Sequence, residues 1–407
     1  MRCAHSGRSP VHQECRADVN NTDQNTVVAI IGAGVAGLAL GNFLLRNSIA
    51  CVVLEKHSRD YVEQRQRAGS LDGRGVRMFR EWGLAEVIET HIAHGEIDSQ
   101  GMPLRIDGQA RMWKAMDVMD DEPGVFCPQQ VLVRNLIEVF LRSGGDLRFD
   151  VDVALEGLDT ERPVVRYRDA VGATTVLGCD FVAGCDGYRG ISRASIPARD
   201  LACYSCEHGY AWLALLAEVP ADPPAVMAVH SRGFAAQITR GPNMSRFYLQ
   251  CPLTDTLDEW PDERIWGELG ARFGEPVAET GPIVDRQLVP LRSVVYSPMR
   301  YGRLYLLGDA AHLVSPMSAK GMSLALYDAE VFARSVISYV GQSDSSQLDS
   351  YSDTCLRHIW NAQIQAVWIT NAMHDAGDPS YAGEFRKQLA RAELERLIVA
   401  SGTTQLA

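Results

Sequence analysis

Residues 27–56 read VVAIIGAGVAGLALGNFLLRNSIACVVLEK. The first nineteen of them, Val27–Leu45, are apolar over a length that could pass for a membrane span. Their glycines decide otherwise. The run ending at Ile31 is uncharged and β-branched, which predicts a buried parallel strand. Gly32, Gly34 and Gly37 follow without a gap as G-x-G-x-x-G, and a helix is expected to about Leu45. ACVVLEK then reads as a second strand ending at Glu55, 23 residues after Gly32. Strand, glycine turn, helix, strand and terminal acid together form the dinucleotide-binding fingerprint. Gly32 serves the tight turn, Gly34 lets the backbone approach a pyrophosphate, and Gly37 lets helix and strand pack closely. The helix N-terminus offers free N–H groups to the phosphates. Glu55 is expected to accept hydrogen bonds from the adenosine ribose.

The totals fit such a protein. The 407 residues are 46% apolar and 22% charged, as in a globular protein of two or three packed units. The net charge of −12 argues against nucleic acid or an anionic membrane surface as partner. It is silent on small anionic substrates, which local groups read. Among ten cysteines, only Cys203 and Cys206, with His208 in CYSCEH, have spacing that hints at a metal knuckle. No second Cys/His pair completes four ligands, and Glu207 stands where haem attachment needs His. No metal is expected. The thiols read as structural and reduced, which places the chain in the cytoplasm. Residues 1–26 contain no apolar core for a secretory signal and read as a disordered extension.

Two further segments repeat the strand-then-turn pattern. VLGCDFVAGCDGYRGISR, residues 176–193, holds a strand that stops at Asp186-Gly187. RLYLLGD, residues 303–309, is another that stops at Gly308-Asp309, with a helix expected from about Ala319. Residues 200–289 alternate like strands in GYAWLALLAEV and SRFYLQC. The last sixty residues show helical spacing in LRHIWNAQIQAVWITNAMH and GEFRKQLARAELERLIVA. The fold class is therefore α/β: a Rossmann-type domain from 27–199 and 290–345, an inserted, mostly antiparallel sheet domain at 200–289, and a helical region at 346–407.

In this order and spacing, GAGVAGL with Glu55, AGCDGYRGISR and YLLGDAAHLVSPMSAKG resemble the single-component flavin-dependent aromatic hydroxylases. DYVEQRQRAGSLD, HSRGFAAQITR, VPLRSVV and CLRHIWNAQ extend the likeness from about Val27 to Val399. The resemblance implies FAD as cofactor, NADPH or NADH as co-substrate, O₂, a small aromatic carboxylate as substrate, and a homodimer through the helical end. It assigns Arg65, Arg67, Gln129, Asp186 and Asp309 to the cofactor, Asp309 to its ribityl chain. Pro316 to Ser323 would pass the flavin ring, with Pro316, Lys320, Gly321 and Met322 beside it. Small residues allow that approach. A helix N-terminus near Ala319–Gly321 would face the ring edge where reduced flavin carries negative charge, with Lys320 adding positive field. With a single fingerprint, the nicotinamide must dock transiently. The resemblance points to Arg67, Arg189 and Arg292 and to the Lys56–Tyr61–Arg65 segment. Lys56, Arg59 and Arg65 lean towards NADPH. His312 reads as structural.

Arg240 and Tyr248 fall where the family clamps the substrate carboxylate, a role suited to a guanidinium. Ala319 belongs to the same pocket. Other positions depart. The family's phenol-ionising Tyr is Met227 here, a Ser that helps hold the carboxylate is Ile238, a Thr is Met317, and an Asn near the flavin is Ser323. The second relay Tyr has no counterpart before Ala407. In the family a flavin C4a-hydroperoxide attacks an electron-rich ring. Met227 cannot help to deprotonate a phenol, whereas an amino group activates a ring without losing a proton. An amino- or aminohydroxybenzoate is therefore favoured over plain 4-hydroxybenzoate. Two other readings stay open. One is a ligand-sensing flavoprotein without hydroxylation. The other is a flavin halogenase, although YAWLALL lacks the W-x-W-x-I-P signature.

Overall fold

The computed structural model describes residues 24–65, 69–89, 102–113, 124–277, 280–377 and 379–400. Its first layer is a sheet centred on the opening stretch. Strand Gln24–Ile31 lies between Thr174–Gly184 and Cys51–Leu54, parallel to both. Leu304–Leu306 and Arg300–Tyr301 extend one side, and Asp146–Arg148 the other. The strand begins at Gln24, inside the stretch expected to be a disordered extension, because Gln24 to Thr26 pair with Leu177 to Cys179. The Val35–Arg46 helix crosses this sheet, and Gly37 explains why it comes so close: a Cβ there would sit 2.0 Å from the Gly32 carbonyl oxygen. Gly32 itself has φ +106, a left-handed conformation that glycine adopts without strain. The helices Gln129–Arg142 and Gly321–Gln342 complete the layer. Phe43, Phe140, Phe181 and Phe332 are fully buried in its core.

The second layer is an eight-stranded sheet, and it differs from the expected domain boundaries. The hairpin Met102–Ile106 and Gln109–Trp113 was expected in the cofactor domain, yet it joins this sheet by pairing in parallel with Ala225–His230. At the other edge, Ile283–Ser297 runs past residue 289 and pairs with His312–Leu313, so the inserted unit is tied back to the cofactor layer. The strand Ala202–Ala217 shows why GYAWLALLAEV is so apolar. Leu213, Leu215 and Ala217 face the Asp262–Phe273 helix with Ile265, Leu269 and Phe273. Tyr210 and Trp212 face the opposite way, towards Ile369, Ala372 and Met373 of the helix Tyr351–Asp375.

A buried histidine anchors that second face. His374 is 0% exposed. Its ring stacks on Tyr210 at 4.7 Å with 6° between planes. Trp212 Nε1 donates to His374 Nε2 at 2.7 Å, and Nδ1 lies 2.8 Å from the Thr370 carbonyl. An indole N–H and a carbonyl leave one arrangement: Nδ1 carries the proton and Nε2 accepts. Burial lowers the pKa of His374 to about 3, and a second proton would set two donors against each other at Trp212.

Gly37→Ala is expected to cost about 2 kcal/mol, since the clashing atom is backbone and cannot rotate away. A thermal melt against the parent reads this. The histidine gives a pH signature. Its pKa is lower folded than unfolded, so the unfolded chain takes up the proton first as pH falls. Stability from this site is complete above pH 6.5 and is lost as pH drops towards about 3. The slope reaches at most about 1.4 kcal/mol per pH unit. Denaturant titrations across that range should show a shallower slope for His374→Gln.

Candidate functional site

At the nucleotide end, the backbone is prepared for an anion. A Cβ added at Gly34 would meet nothing within 4 Å, so the turn faces open space. Gly34 caps the Val35–Arg46 helix without a side-chain hydrogen bond, and no acidic residue stands in the first turn. Uncapped N–H groups beside a vacant approach suit a pyrophosphate. Glu55, 8% exposed, follows the second strand. Its Oε2 accepts from Ala33 N at 2.7 Å and its Oε1 from His57 N at 2.9 Å. The acid thus fixes the glycine turn as well as standing where a ribose would lie. These residues fit FAD.

The two later Asp-bearing turns differ from one another. Asp186 Oδ2 accepts from Ser192 N at 2.8 Å and so holds the short Ile191–Ala194 helix. Its Oδ1 is buried without a hydrogen-bond partner among the described residues. Burial raises its pKa and the backbone N–H bonds oppose the rise. Asp309 lies half-buried in the turn Gly308–Ala310. That turn is held from behind by Asp328, whose Oδ2 accepts from Gly308 N at 2.9 Å and lies 2.7 Å from His312 Nε2. His312 is therefore a buried structural partner, and Asp328, which drew no attention in the sequence, is the group that positions Asp309. An Asp inside an amphipathic helix, sixteen residues after a His, leaves no local signal. Gln129 begins the Gln129–Arg142 helix, half-buried. Arg65 is exposed, with its guanidinium 5.7 Å from the Tyr61 ring. Arg67 lies outside the described residues.

In the loop from Ser315 to Ser323 the helix starts at Gly321, at the end of the expected Ala319–Gly321 span. Pro316–Ser318 forms a 3₁₀ turn, and Ala319 has φ +53, a left-handed residue that breaks the path before the helix begins. Pro316 and Ala319 are exposed, whereas Met317, Met322 and Ser323 are buried. The helix N-terminus carries no side-chain cap and no acid in its first turn. Lys320 was expected to add positive field beside the ring, and its Nζ lies 3.4 Å from Asp72 Oδ2. Asp72 also caps the Gly73–Glu81 helix through Gly75 N at 2.9 Å, and its own N–H donates to Ser323 Oγ at 3.4 Å. Asp72 was another silent residue in the sequence.

Three of the residues assigned to substrate, Met227, Ile238 and Tyr248, share one face of the second sheet. Met227 pairs with Ala236, which pairs with Tyr248, and Ile238 pairs with Arg246. Residues paired across strands point the same way. Met227 and Tyr248 pack against a buried group that includes Leu104, Trp212, Phe234 and Met317, so the loop closes over this face. Arg240 and Tyr248 are hydrogen-bonded through their side chains. Burial lowers the Arg240 pKa, and Arg246 lowers it further. Arg246 lies 3.5 Å from Asp285. A half-buried guanidinium and phenol beside the apolar Met227 and Ile238 can hold a planar carboxylate.

The docking candidates are partly assembled. Arg292 lies 4.2 Å over the Tyr188 ring, and Arg193 lies 4.8 Å from the same ring. Arg189 beside them is exposed. Arg59, in the set that leaned towards NADPH, is bonded to Glu63 at 2.6 Å. Cys203 and Cys206 are exposed free thiols, while His208 is buried 3.3 Å from Ser293 Oγ, so CYSCEH does not form a knuckle. Among the described residues no helix is long and apolar enough to cross a membrane.

Comparison with known proteins agrees with this geometry. Residues 25–366 match the family described as FAD binding domain. The p-hydroxybenzoate hydroxylase of Acinetobacter baylyi (strain ATCC 33305 / BD413 / ADP1) is 34% identical over 391 residues, 94% of each chain. A probable NADH-specific resorcinol 4-hydroxylase of Rhodococcus jostii (strain RHA1) is 26% identical, over 80% of this chain and 61% of its own. Among solved structures, p-nitrophenol 4-monooxygenase from Pseudomonas putida DLL-E4 superposes with a TM-score of 0.75 at 18% identity, covering 93% of this chain and 97% of that one. Aklavinone-11 hydroxylase in complex with FAD and aklavinone superposes with a TM-score of 0.72 at 18% identity, covering 89% and 71%. A family match across most of the chain, and a full-length relative at that identity, make this chain a member of the FAD-binding flavin-dependent aromatic hydroxylases.

Proposed function

We propose that the chain hydroxylates the ring of an electron-rich benzoate, amino- or aminohydroxy-substituted in preference to plain 4-hydroxybenzoate. NAD(P)H, a proton, O₂ and the arene give the phenol, NAD(P)⁺ and water. The observation that carries the reading is the Arg240–Tyr248 pair at one end of a face whose other assigned positions are Met227, Ile238 and Met317. The pair supplies a charge-assisted grip for a carboxylate. Met227, Ile238 and Met317 offer no group that could draw a proton from a phenol. A ring already activated by nitrogen lone-pair donation suits them.

FAD, when bound, supplies the chemistry that activates oxygen. The protein does the rest. Gly32, Gly34 and the N–H groups of the Val35 helix would hold the pyrophosphate, Glu55 the adenosine ribose, and Asp309 the ribityl chain, with Arg65, Gln129 and Asp186 as further candidates for the cofactor. The N–H groups at Gly321, Met322 and Ser323 present a positive helix end to developing negative charge without reorganisation. Met317 and the apolar face exclude water from the reacting atoms. Arg292 over Tyr188, with Arg189, would offer a surface for transient nicotinamide docking, a role the family resemblance also gives to Arg67. A homodimer through the C-terminal helices and a cytoplasmic setting belong to the same proposal.

The deciding experiment follows NAD(P)H oxidation and H₂O₂ release over a panel of benzoates, with ¹⁸O₂ as the oxygen source. An aminobenzoate should accelerate oxidation and acquire one labelled oxygen with little H₂O₂. A 4-hydroxybenzoate turned over equally well, and equally coupled, removes the substrate preference. Met227→Tyr should raise coupled turnover of 4-hydroxybenzoate relative to an aminobenzoate by about tenfold or more, since a positioned acid–base group contributes at least that. Arg240→Lys should raise KM for any benzoate by about tenfold and leave kcat within about threefold, as a point charge cannot replace the planar fork. Steady-state kinetics with saturating NAD(P)H read both.

A further inference from the structure

The aromatic-acid face and the loop Ser315–Ser323 belong to different parts of the chain, yet one helix touches both. Thr370 Oγ1 lies 2.7 Å from Ser315 Oγ and 2.6 Å from the Ala366 carbonyl. A carbonyl cannot donate, so the single Thr370 proton goes to Ala366 and Ser315 donates to Thr370. Ser315 is fully buried, and its carbonyl accepts from Ser318 Oγ at 2.9 Å. Seven residues earlier, two turns back on the same helix face, Gln363 Nε2 donates to the Leu313 carbonyl at 2.7 Å. The loop before Pro316 is thus tied to the Tyr351–Asp375 helix at two points.

One turn after Thr370, His374 accepts from Trp212. Trp212 packs on Tyr248 with ring centroids 4.7 Å apart, and Tyr248 is hydrogen-bonded to Arg240. Met317, Ile369, Ala372, Met373 and Trp212 fill the space between. A continuous chain of contacts therefore runs from Ser315 through Thr370 and His374 to Trp212, Tyr248 and Arg240. From Ser315 to Trp212 every polar step is buried and each donor has an acceptor, so that part of the chain has one arrangement and not several.

We infer that Thr370 and His374 are positioning residues that set the separation between the carboxylate clamp and the loop carrying Pro316 and Met317. The inference rests on the proposed aromatic-acid site. A ring held by its carboxylate at Arg240 meets the oxygen donor at a distance fixed by the far end of this chain, and a shift of about 1 Å can cost on the order of a hundredfold in rate. The loss should appear as reduced oxygen released as H₂O₂ instead of product. It should not appear as a change in the pH profile, because His374 stays neutral throughout the working range.

The test compares four variants of the full-length FAD-loaded protein. Thr370→Val removes the acceptor for Ser315 and keeps the shape; Thr370→Ser retains the hydroxyl. His374→Phe leaves the Trp212 N–H without an acceptor; His374→Gln can return one. Two readouts are taken: product formed per NAD(P)H consumed, and the change in the FAD visible spectrum on titration with benzoate. Thr370→Val and His374→Phe should lower the product ratio at least about fivefold at unchanged FAD content and change the amplitude of the benzoate difference spectrum, while Thr370→Ser and His374→Gln stay within about twofold of the parent. A parent-like product ratio and difference spectrum in both Thr370→Val and His374→Phe overturns the inference. A parent that binds benzoate but oxygenates nothing overturns the hydroxylase reading instead. The difference spectra then decide the positioning role alone: altered in the two disruptive variants and restored in the two conservative ones supports it, and unaltered overturns it.

Discussion

One fully buried carboxylate joins the two layers of this protein. Asp328 receives the Gly308 N–H and pairs with His312 through the same oxygen. Gly308 follows the last parallel strand of the cofactor sheet, and His312 opens the short strand that pairs with Val294 and Val295 at the edge of the other sheet. The three residues between them include Asp309. A charge at this depth is tolerated only with partners, and removing one partner would strand the other. The turn is thereby held by a group more than a dozen residues downstream on the Gly321–Gln342 helix. That helix in turn presents its N-terminus to the same space. The sheet junction and the position of Asp309 both depend on this one carboxylate.

This arrangement explains why the site lies between the layers and why its residues come from distant parts of the chain. The strand ends of the parallel sheet deliver Glu55, Asp186 and Asp309 along one edge, as an open α/β sheet does. The second sheet offers one face covered by the Asp262–Phe273 helix and therefore closed, and another over which the Ser315–Ser323 loop and the Tyr351–Asp375 helix fold. Tyr248, Met227 and Ile238 line up on the latter because pairing across three strands sets which side each one takes.

The cofactor layer was legible in the sequence because its signals are local. The spacing of Gly32, Gly34, Gly37 and Glu55 encodes a turn, a close helix crossing and a strand end within thirty residues. The second sheet was legible only in part. Alternation in 200–289 identified strands, but nothing near 102–113 reveals that this hairpin joins Ala225–His230, since a parallel pairing across more than a hundred residues leaves no periodic trace. The same limit applied to the supporting residues. Asp72, Asp328, Thr370 and His374 each act through a partner far away in sequence, and each sits in a helix or at its cap where such a residue is unremarkable. Lys320 shows the converse. Its basic side chain was visible in the sequence, but its net effect depended on an acid that was not.

That pair changes the electrostatics at the helix start. A lone buried lysine would place a full positive charge beside the Gly321 N-terminus. With Asp72 3.4 Å away, the two side chains largely cancel at any distance greater than their separation. What remains is the helix end itself, equivalent to about half a charge and borne by N–H groups whose direction the backbone fixes. Asp72 also caps the Gly73–Glu81 helix and bonds to Ser323, so its position is set from three directions. Such a field is weak in the resting protein, which spares the cost of an unpaired buried cation. It is also preorganised, so it needs no rearrangement when negative charge develops in front of it. The left-handed Ala319 completes the design by turning the chain out of the way before the first helical N–H, leaving that end open.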